Sequence, residues 1–265
     1  MKINIHTSLL AAIALLFAPS IQSQDVQSLM DEMNVRHIGP GAMSGRVTTI
    51  DVQRNRPEVI YIGTASGGLW RSESAGVQWE ALFDEQSTQS IGALALAPSN
   101  PDVIWVGTGE GNPRNSHSSG RGVYRSIDGG TTWELMGLEG TRNIHRIIIH
   151  PEDPETGWIG AIGTAWGDSA DRGVYKTTDG GKTWEHQLYI DERTGVADMI
   201  IDPSNPNKLL VAMWSHRREP WFFTSGGDGS GLYVTHNGGE DWKQYTEDDG
   251  LPAGELGRMG LTISP

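Results

Sequence analysis

Four copies of one short pattern, each with the same internal spacing, constrain this chain more than any other feature. They read RSESAGVQW (Arg71 to Trp79), RSIDGGTTW (Arg125 to Trp133), KTTDGGKTW (Lys176 to Trp184) and VTHNGGEDW (Val234 to Trp242). An aromatic residue precedes each copy (Trp70, Tyr124, Tyr175, Tyr233) and lies nine residues before the closing tryptophan every time. A fixed spacing that recurs about every fifty residues implies stacked copies of one supersecondary unit, none of which can bury its apolar face alone.

Each copy follows an apolar run, a Pro/Asn-rich turn and a second apolar run. The second unit shows this best: IGALALA, PSNPD, VIWVGTG. Aligned on Pro57, Pro101, Pro154 and Pro206, the units place Tyr61, Trp105, Trp158 and Leu210 at one position. Short Val/Ile/aromatic runs between Pro, Asn and Gly are strands and tight turns. Each unit is therefore four strands, a to d. The fold class expected is all-β, a β-propeller of four-stranded blades. The blades fall at about 46–83, 90–138, 143–190 and 195–246. GRMGLTISP aligns with the start of strand a, Pro265 with Pro98, so 257–265 opens a fifth blade. The ring is thus incomplete, and the expectation is that further sequence supplies the remaining blades. Residues 24–45 form an N-terminal segment in which Asn34–Pro40 is a candidate ring-closing strand.

The motif is a folding device. Its carboxylate accepts backbone N–H groups of the turn between strands c and d, its glycines supply positive φ, and its tryptophan packs under the hairpin. The structural positions are Ser126, Asp128, Gly130 and Trp133; Thr177, Asp179, Gly181 and Trp184; Asn237, Gly239 and Trp242; and Trp79. The first copy has Ser74 in place of the aspartate, so its turn should be the loosest. The turns lack calcium-loop ligand spacing, and neither metal nor cofactor is expected.

This pattern resembles the Asp-box, or BNR repeat, of sialidases, xyloglucanases, the sortilin receptor propeller and a photosystem assembly factor. HIGPGAMSGRVTTIDVQRNRPEVIYIGTASGGLWRS, SIGALALAPSNPDVIWVGTGEGNPRNS and RGVYKTTDGGKTW resemble the N-terminal part of large bacterial secreted sortilin-like propeller proteins often labelled glycosyl hydrolases. The resemblance covers about residues 35–265. It implies the fold, and it implies less about activity because the matching motifs are structural. The Phe-Arg-Ile-Pro signature of sialidases does not occur, the nearest stretch being Val35-Arg36-His37-Ile38. Xyloglucanases of similar repeat place a catalytic aspartate at the end of the first blade's second strand, where this chain has Ala65 and Ser66.

The N-terminus, MKINIHTSLLAAIALLFAPSIQSQ, has one lysine, an apolar run and small polar residues. That is a secretory signal peptide over 1–23, too short for a membrane span. Export to periplasm, cell surface or medium follows. The chain has no cysteine, so packing alone must hold it. A net charge of −13 without a basic stripe argues against nucleic acid, and no transmembrane segment is expected.

Length variation locates the candidate site. From the strand-b position to the strand-c aromatic, the units run 9, 19, 17 and 23 residues, so insertion falls in the b–c loop. That loop lies on the propeller face opposite the Asp-boxes, and loops that grow on one face of a rigid scaffold are where binding concentrates. The candidate ligand residues are Glu110, Asn112, Arg114, His117 and Arg121 in the second loop and Trp166 and Asp168 in the third. The fourth contributes His216, Arg217, Arg218 and Trp221, and Arg146 enters from strand a. Guanidinium groups and indole faces suit carboxylates, peptides or sugars; alternatively, Trp221, Phe222 and Phe223 pack the long loop onto its own scaffold. The reading is a secreted binding or scaffold module for a peptide, protein or glycan. Its alternative is a glycoside hydrolase, which needs two carboxylates about 5–10 Å apart, with Glu110, Asp168 and Asp171 the nominees.

Overall fold

The computed structural model describes residues 46–264. The expected signal peptide over 1–23, the candidate ring-closing strand Asn34–Pro40 and Pro265 lie outside them. Four antiparallel four-stranded sheets follow one another along the chain, each in the order of its sequence. Blade I comprises β1 (Val47–Val52), β2 (Ile60–Thr64), β3 (Leu69–Ser72) and β4 (Glu80–Ala81). Blade II comprises β5 (Ile91–Ala97), β6 (Asn100–Thr108), β7 (Val123–Ser126) and β8 (Glu134–Leu135). Blade III comprises β9 (Ile144–Ile149), β10 (Gly157–Ala161), β11 (Gly173–Thr177) and β12 (Glu185–Leu188). Blade IV comprises β13 (Thr194–Asp202), β14 (Asn205–Glu219), β16 (Gly231–Thr235) and β17 (Lys243–Tyr245), with β15 (Phe222–Ser225) paired to the far end of β14. The innermost strands β1, β5, β9 and β13 stand side by side in that order, the arrangement of a β-propeller.

The Asp-boxes form as their chemistry requires. Ser126 Oγ accepts from Gly130 N (2.9 Å) and donates to Asp128 Oδ1 (2.8 Å), while Asp128 accepts from Thr132 N (2.8 Å) and Thr132 Oγ1 (2.6 Å). Thr177, Asp179, Gly181 and Thr183 repeat the set, and Thr235, Asn237, Gly239 and Asp241 vary it. These bonds, led by the Thr132 hydroxyl, pull the Asp128 carboxyl from 3.8 to about 2. In the first box Ser74 Oγ still accepts from Gln78 N (2.8 Å), but a hydroxyl offers no second carboxylate oxygen. Ala75 there carries φ 52°, at the position where Gly129, Gly180 and Gly238 carry 71–75°, a left-handed backbone that costs alanine more than glycine.

The boxes also join blades. Trp133 donates to Leu82 O (2.9 Å) and Trp184 to Met136 O (2.7 Å), each a carbonyl of the preceding blade's outer edge. In return, the strand-b aromatic reaches the next blade's box: Tyr61 to Gly129 O (3.4 Å) and Trp158 to Gly238 O (3.0 Å), with Trp105 edge-on to Trp184 at 5.8 Å. The tryptophans therefore do more than fill their own hairpins. Nearer the axis, a strand-b glycine receives a β-branched residue from the next strand a. A Cβ on Gly63, Gly107 or Gly160 would stand 2.4–2.7 Å from Ile91, Ile144 or Val196 respectively.

Residues 257–264 follow the same plan. Leu261 N donates to Asp198 Oδ2 (2.9 Å) as Leu96 N donates to Asp51 Oδ2 (2.8 Å), so this segment runs beside β13 as β5 runs beside β1. It is extended but forms no sheet ladder among the described residues.

Candidate functional site on the b–c loop face

The two ends of the blades differ in construction. At one end each Asp-box turn bonds the a–b turn of its own blade, through Ala75 N to Glu58 O, Gly129 N to Asp102 O, Gly180 N to Glu155 O and Gly238 N to Asn207 O (2.8–3.0 Å). At the other, the b–c loops bond the entries to strands a: Gly109 N to Ser90 O (2.8 Å) and Gly120 N to Arg142 O (2.6 Å). The loops that vary in length thus share one face, opposite the boxes.

In the third loop, Arg172 is the organising residue. Its guanidinium is fully buried and donates to four carbonyls, those of Ile162 (2.8 Å), Thr164 (2.6 Å), Gly167 (3.1 Å) and Arg193 (3.1 Å). Burial lowers its pKa to about 10. The carbonyl oxygens solvate the buried charge in place of a carboxylate, and three of them fix the path of the third loop. Arg121, which opens the same Arg-Gly-Val-Tyr sequence in the second loop, is instead exposed and paired with Glu139 (3.2 Å).

The fourth loop is a hairpin, β14 and β15 joined at Pro220-Trp221, and it lies across its neighbours. Arg218 N donates to Ala165 O in blade III (2.7 Å), and Arg218 Nε donates to Asn115 Oδ1 in blade II (2.6 Å). Arg217 pairs with Asp168 (3.0 Å), which Arg193 also engages (3.2 Å). Three loops are tied into one surface. Phe223 packs edge-on against Trp214 at 5.8 Å. Trp221 and Phe222 do not pack down; they are 84% and 63% exposed, and Trp166 is 38% exposed. Beside the hairpin an open depression of about 500 Å³ is lined by Tyr189, Asp191, Arg193, Ser215 and Asp228.

Beneath these loops lies a buried polar layer. Glu110 is fully buried and paired with Arg46, whose Nε donates to it at 3.0 Å. Asn143 donates to Glu110 O (2.9 Å) and Ser118 O (3.0 Å), and His117 Nε2 bonds the same Glu110 carbonyl. His216 is buried, stacked on Trp214 at 4.4 Å, and held to about 3 by burial and by Arg172. His145, also buried, is held to about 2 by burial and by Arg146 and Arg258. Both rings are neutral near pH 7. Arg146 pairs with Asp198 across adjacent inner strands (2.6 Å). Asn112 is half-buried and Arg114 exposed on the second loop.

The sequence-derived candidates therefore divide. Arg114, Trp166 and Trp221 present themselves outward; Asp168, Arg217 and Arg218 tie the loops together; Glu110, His117 and His216 lie beneath. Sequence reasoning missed Arg46, Asn143, Arg172, Asp198 and Arg258. The Arg-Gly-Val-Tyr repeat marks Arg172, and it marks Arg121 equally.

The family profile described as Sortilin-Vps10 (sortilin, neurotensin receptor 3) matches residues 121–250, the span containing three of the four boxes. The chain is an Asp-box β-propeller, similar over that span to the sortilin family. It is similar to a xyloglucanase from Paenibacillus sp, 26% identical over 237 residues that make up 80% of this chain and 22% of the relative. It is also similar to an oligoxyloglucan-reducing end-specific xyloglucanase from Emericella nidulans, 24% identical over 216 residues, 75% of this chain and 24% of that one. This propeller thus spans about a quarter of the length of these curated relatives. Its fold is that of the crystal structures of an ancestral GH74 enzyme (TM-score 0.59, 20% identity, 80% of this chain and 27% of that one) and of the Niastella koreensis GH74 enzyme (TM-score 0.56, 22% identity, 76% and 30%). Among the described residues no helix is long and apolar enough to cross a membrane.

Proposed function

We propose that this propeller is an exported binding module that takes a glycan on its b–c loop face. The observation that carries the reading is the tied hairpin: three b–c loops are fastened by Arg218–Asn115 and Arg217–Asp168 while Trp221, Phe222 and Trp166 remain exposed. Rings held outward on a rigid frame are platforms for sugar faces, and binding to them costs little ordering of the loops. The adjoining depression, with Tyr189 on its wall, adds a concave element of ligand size. The names of the curated relatives, xyloglucanases, favour a glycan over a polypeptide. The signal-like N-terminus supports export.

The same names favour a second reading, glycoside hydrolysis. Against it, Glu110 is buried in its pair with Arg46 and Asp168 is shared by two guanidinium groups. One carboxylate buried beneath the loops and another spent on tying them together are poorly placed to flank a glycosidic bond. Ala65, where the resemblance leads one to look for a catalytic acid, is buried with its N–H on Arg46 O (2.9 Å). Affinity electrophoresis of the full chain in gels cast with neutral and acidic polysaccharides tests the proposal, with reducing ends assayed in parallel. Retardation by at least one polysaccharide, lost in Trp221→Ala/Trp166→Ala, with no rise in reducing ends, is the expected result. Cleavage of any of them, or retardation unchanged in the double variant, overturns it.

A further inference from the structure

Arg258 breaks the pattern that joins the blades. In the alignment that sets Pro265 on Pro98, it takes the position of Ile91, Ile144 and Val196, which wedge against the preceding blade. An apolar wedge recurs three times and an arginine takes the fourth position. The arginine is held in place from two sides. Its Nη2 donates to His145 Nε2 (2.8 Å), and its guanidinium carbon lies 5.4 Å from the centre of the Trp214 ring. The side chain is nevertheless exposed and, among the described residues, has no carboxylate within ion-pairing distance. The nearby carboxylate, Asp198, is fully engaged by Arg146 Nε (2.6 Å), Met199 N (2.9 Å) and Leu261 N (2.9 Å).

Arg146 stands beside it. Its Nε is on Asp198 and its Nη1 on His145 O (2.9 Å), which leaves Nη2 without a hydrogen bond among the described residues. His145 touches both arginines. As an acceptor at Nε2 it must be neutral, and its burial keeps it so. Desolvation, and then the charge of Arg146, lower the pKa of Arg258, and Asp198 offsets part of this. A planar fork fixed over an indole at an exposed position, with N–H donors that have no partner among the described residues, fits a carboxylate in two-point geometry.

We propose that Arg258 and Arg146 form a carboxylate subsite at the axial edge of the b–c face, and that the glycan bound there is acidic, a uronic-acid-bearing oligosaccharide. The inference rests on the glycan-binding reading and narrows its substrate class. A neutral sugar offers no charge to Arg258, which among the described residues has no ion-pair partner, and desolvating that guanidinium against it would weaken binding. A uronate supplies the missing charge, and its pyranose ring can rest on the aromatic surface beyond.

Calorimetric titration of the full chain with trigalacturonate, with a neutral xyloglucan heptasaccharide and with a short peptide bearing a free C-terminal carboxylate tests this. Trigalacturonate should bind, weaken as salt is raised, and lose about tenfold or more in affinity in Arg258→Gln and in Arg146→Gln, the scale of a charge-assisted hydrogen bond. Arg258→Lys should recover part of the loss, because it restores the charge without the fork. Far-ultraviolet circular dichroism and a urea midpoint close to the parent's show that the fold of each variant is kept. Trigalacturonate binding that is unchanged in Arg258→Gln overturns the proposal, as does Arg258-dependent binding of the peptide alone. If only the neutral oligosaccharide binds, this subsite falls while the b–c face reading stands; if no glycan binds, both fall.

Discussion

At the scale of single residues, the b–c face rests on histidines that cannot accept a proton without damage. His145 and His216 titrate at about 2 and about 3 in the folded chain, against 6.5 for a free imidazole, mainly through burial. A depressed folded value means that the unfolded chain binds protons first as pH falls. Their contribution is therefore complete above about pH 6.5 and is lost progressively below it. Urea denaturation at pH 7.5 and pH 5.0 should show a loss of about 2 kcal/mol per histidine from linkage. His216→Asn should remove roughly half of that pH dependence, whatever it does to stability at pH 7.5; an unaltered dependence would contradict the assignment. Sequence reasoning picked out His216, Glu110 and Arg146 as loop or loop-edge residues of the right chemical type. It did not supply their partners, because Arg46 lies 64 residues from Glu110 and Asp198 lies 52 from Arg146. Such pairs arise only once neighbouring blades are side by side.

Among the elements, the Asp-box hairpin was the most legible from sequence. The spacing of Asp, Gly and Trp dictates a turn whose side chains close on themselves, and the hydroxyl–carboxylate–amide bonds of Ser126 and Asp128 follow directly. The direction in which the tryptophan points was not legible, since a spacing says nothing of what lies outside the hairpin. Trp184 crosses to Met136 O and meets Trp105 edge-on, which makes it an inter-blade tie. Trp184→Ala should cost about 3 kcal/mol in chemical denaturation. In a double-mutant cycle with Trp105→Leu, a coupling of about 1 kcal/mol is expected for the ring contact. Strict additivity would show that the two rings do not support each other. The β14–β15 hairpin was visible only as a long loop, because Arg217, Arg218 and the aromatic run carry no clear alternation to mark strands. Pairing with β15 and docking on Ala165 O create those strands in the folded molecule.

For the whole molecule, the repeat determines an architecture with one face spent on folding and the other open to vary. The Asp-box face is used up by four equivalent turn-to-turn hydrogen bonds and by the inter-blade ties. The opposite face carries every long insertion, a hairpin strap, exposed rings and an arginine that has no ion-pair partner among the described residues. The excess of acid over base in the chain, −13 overall, gives no hint of this, since net charge averages over both faces. The most direct test is hydrogen exchange of the full chain with and without the polysaccharide that retards it most. Ligand-dependent protection should be confined to the b–c loops, residues 109–121, 163–172 and 214–230, and to the segment around Arg258. Protection centred on the Asp-box turns, at 126–132, 177–183 and 235–241, would contradict the account.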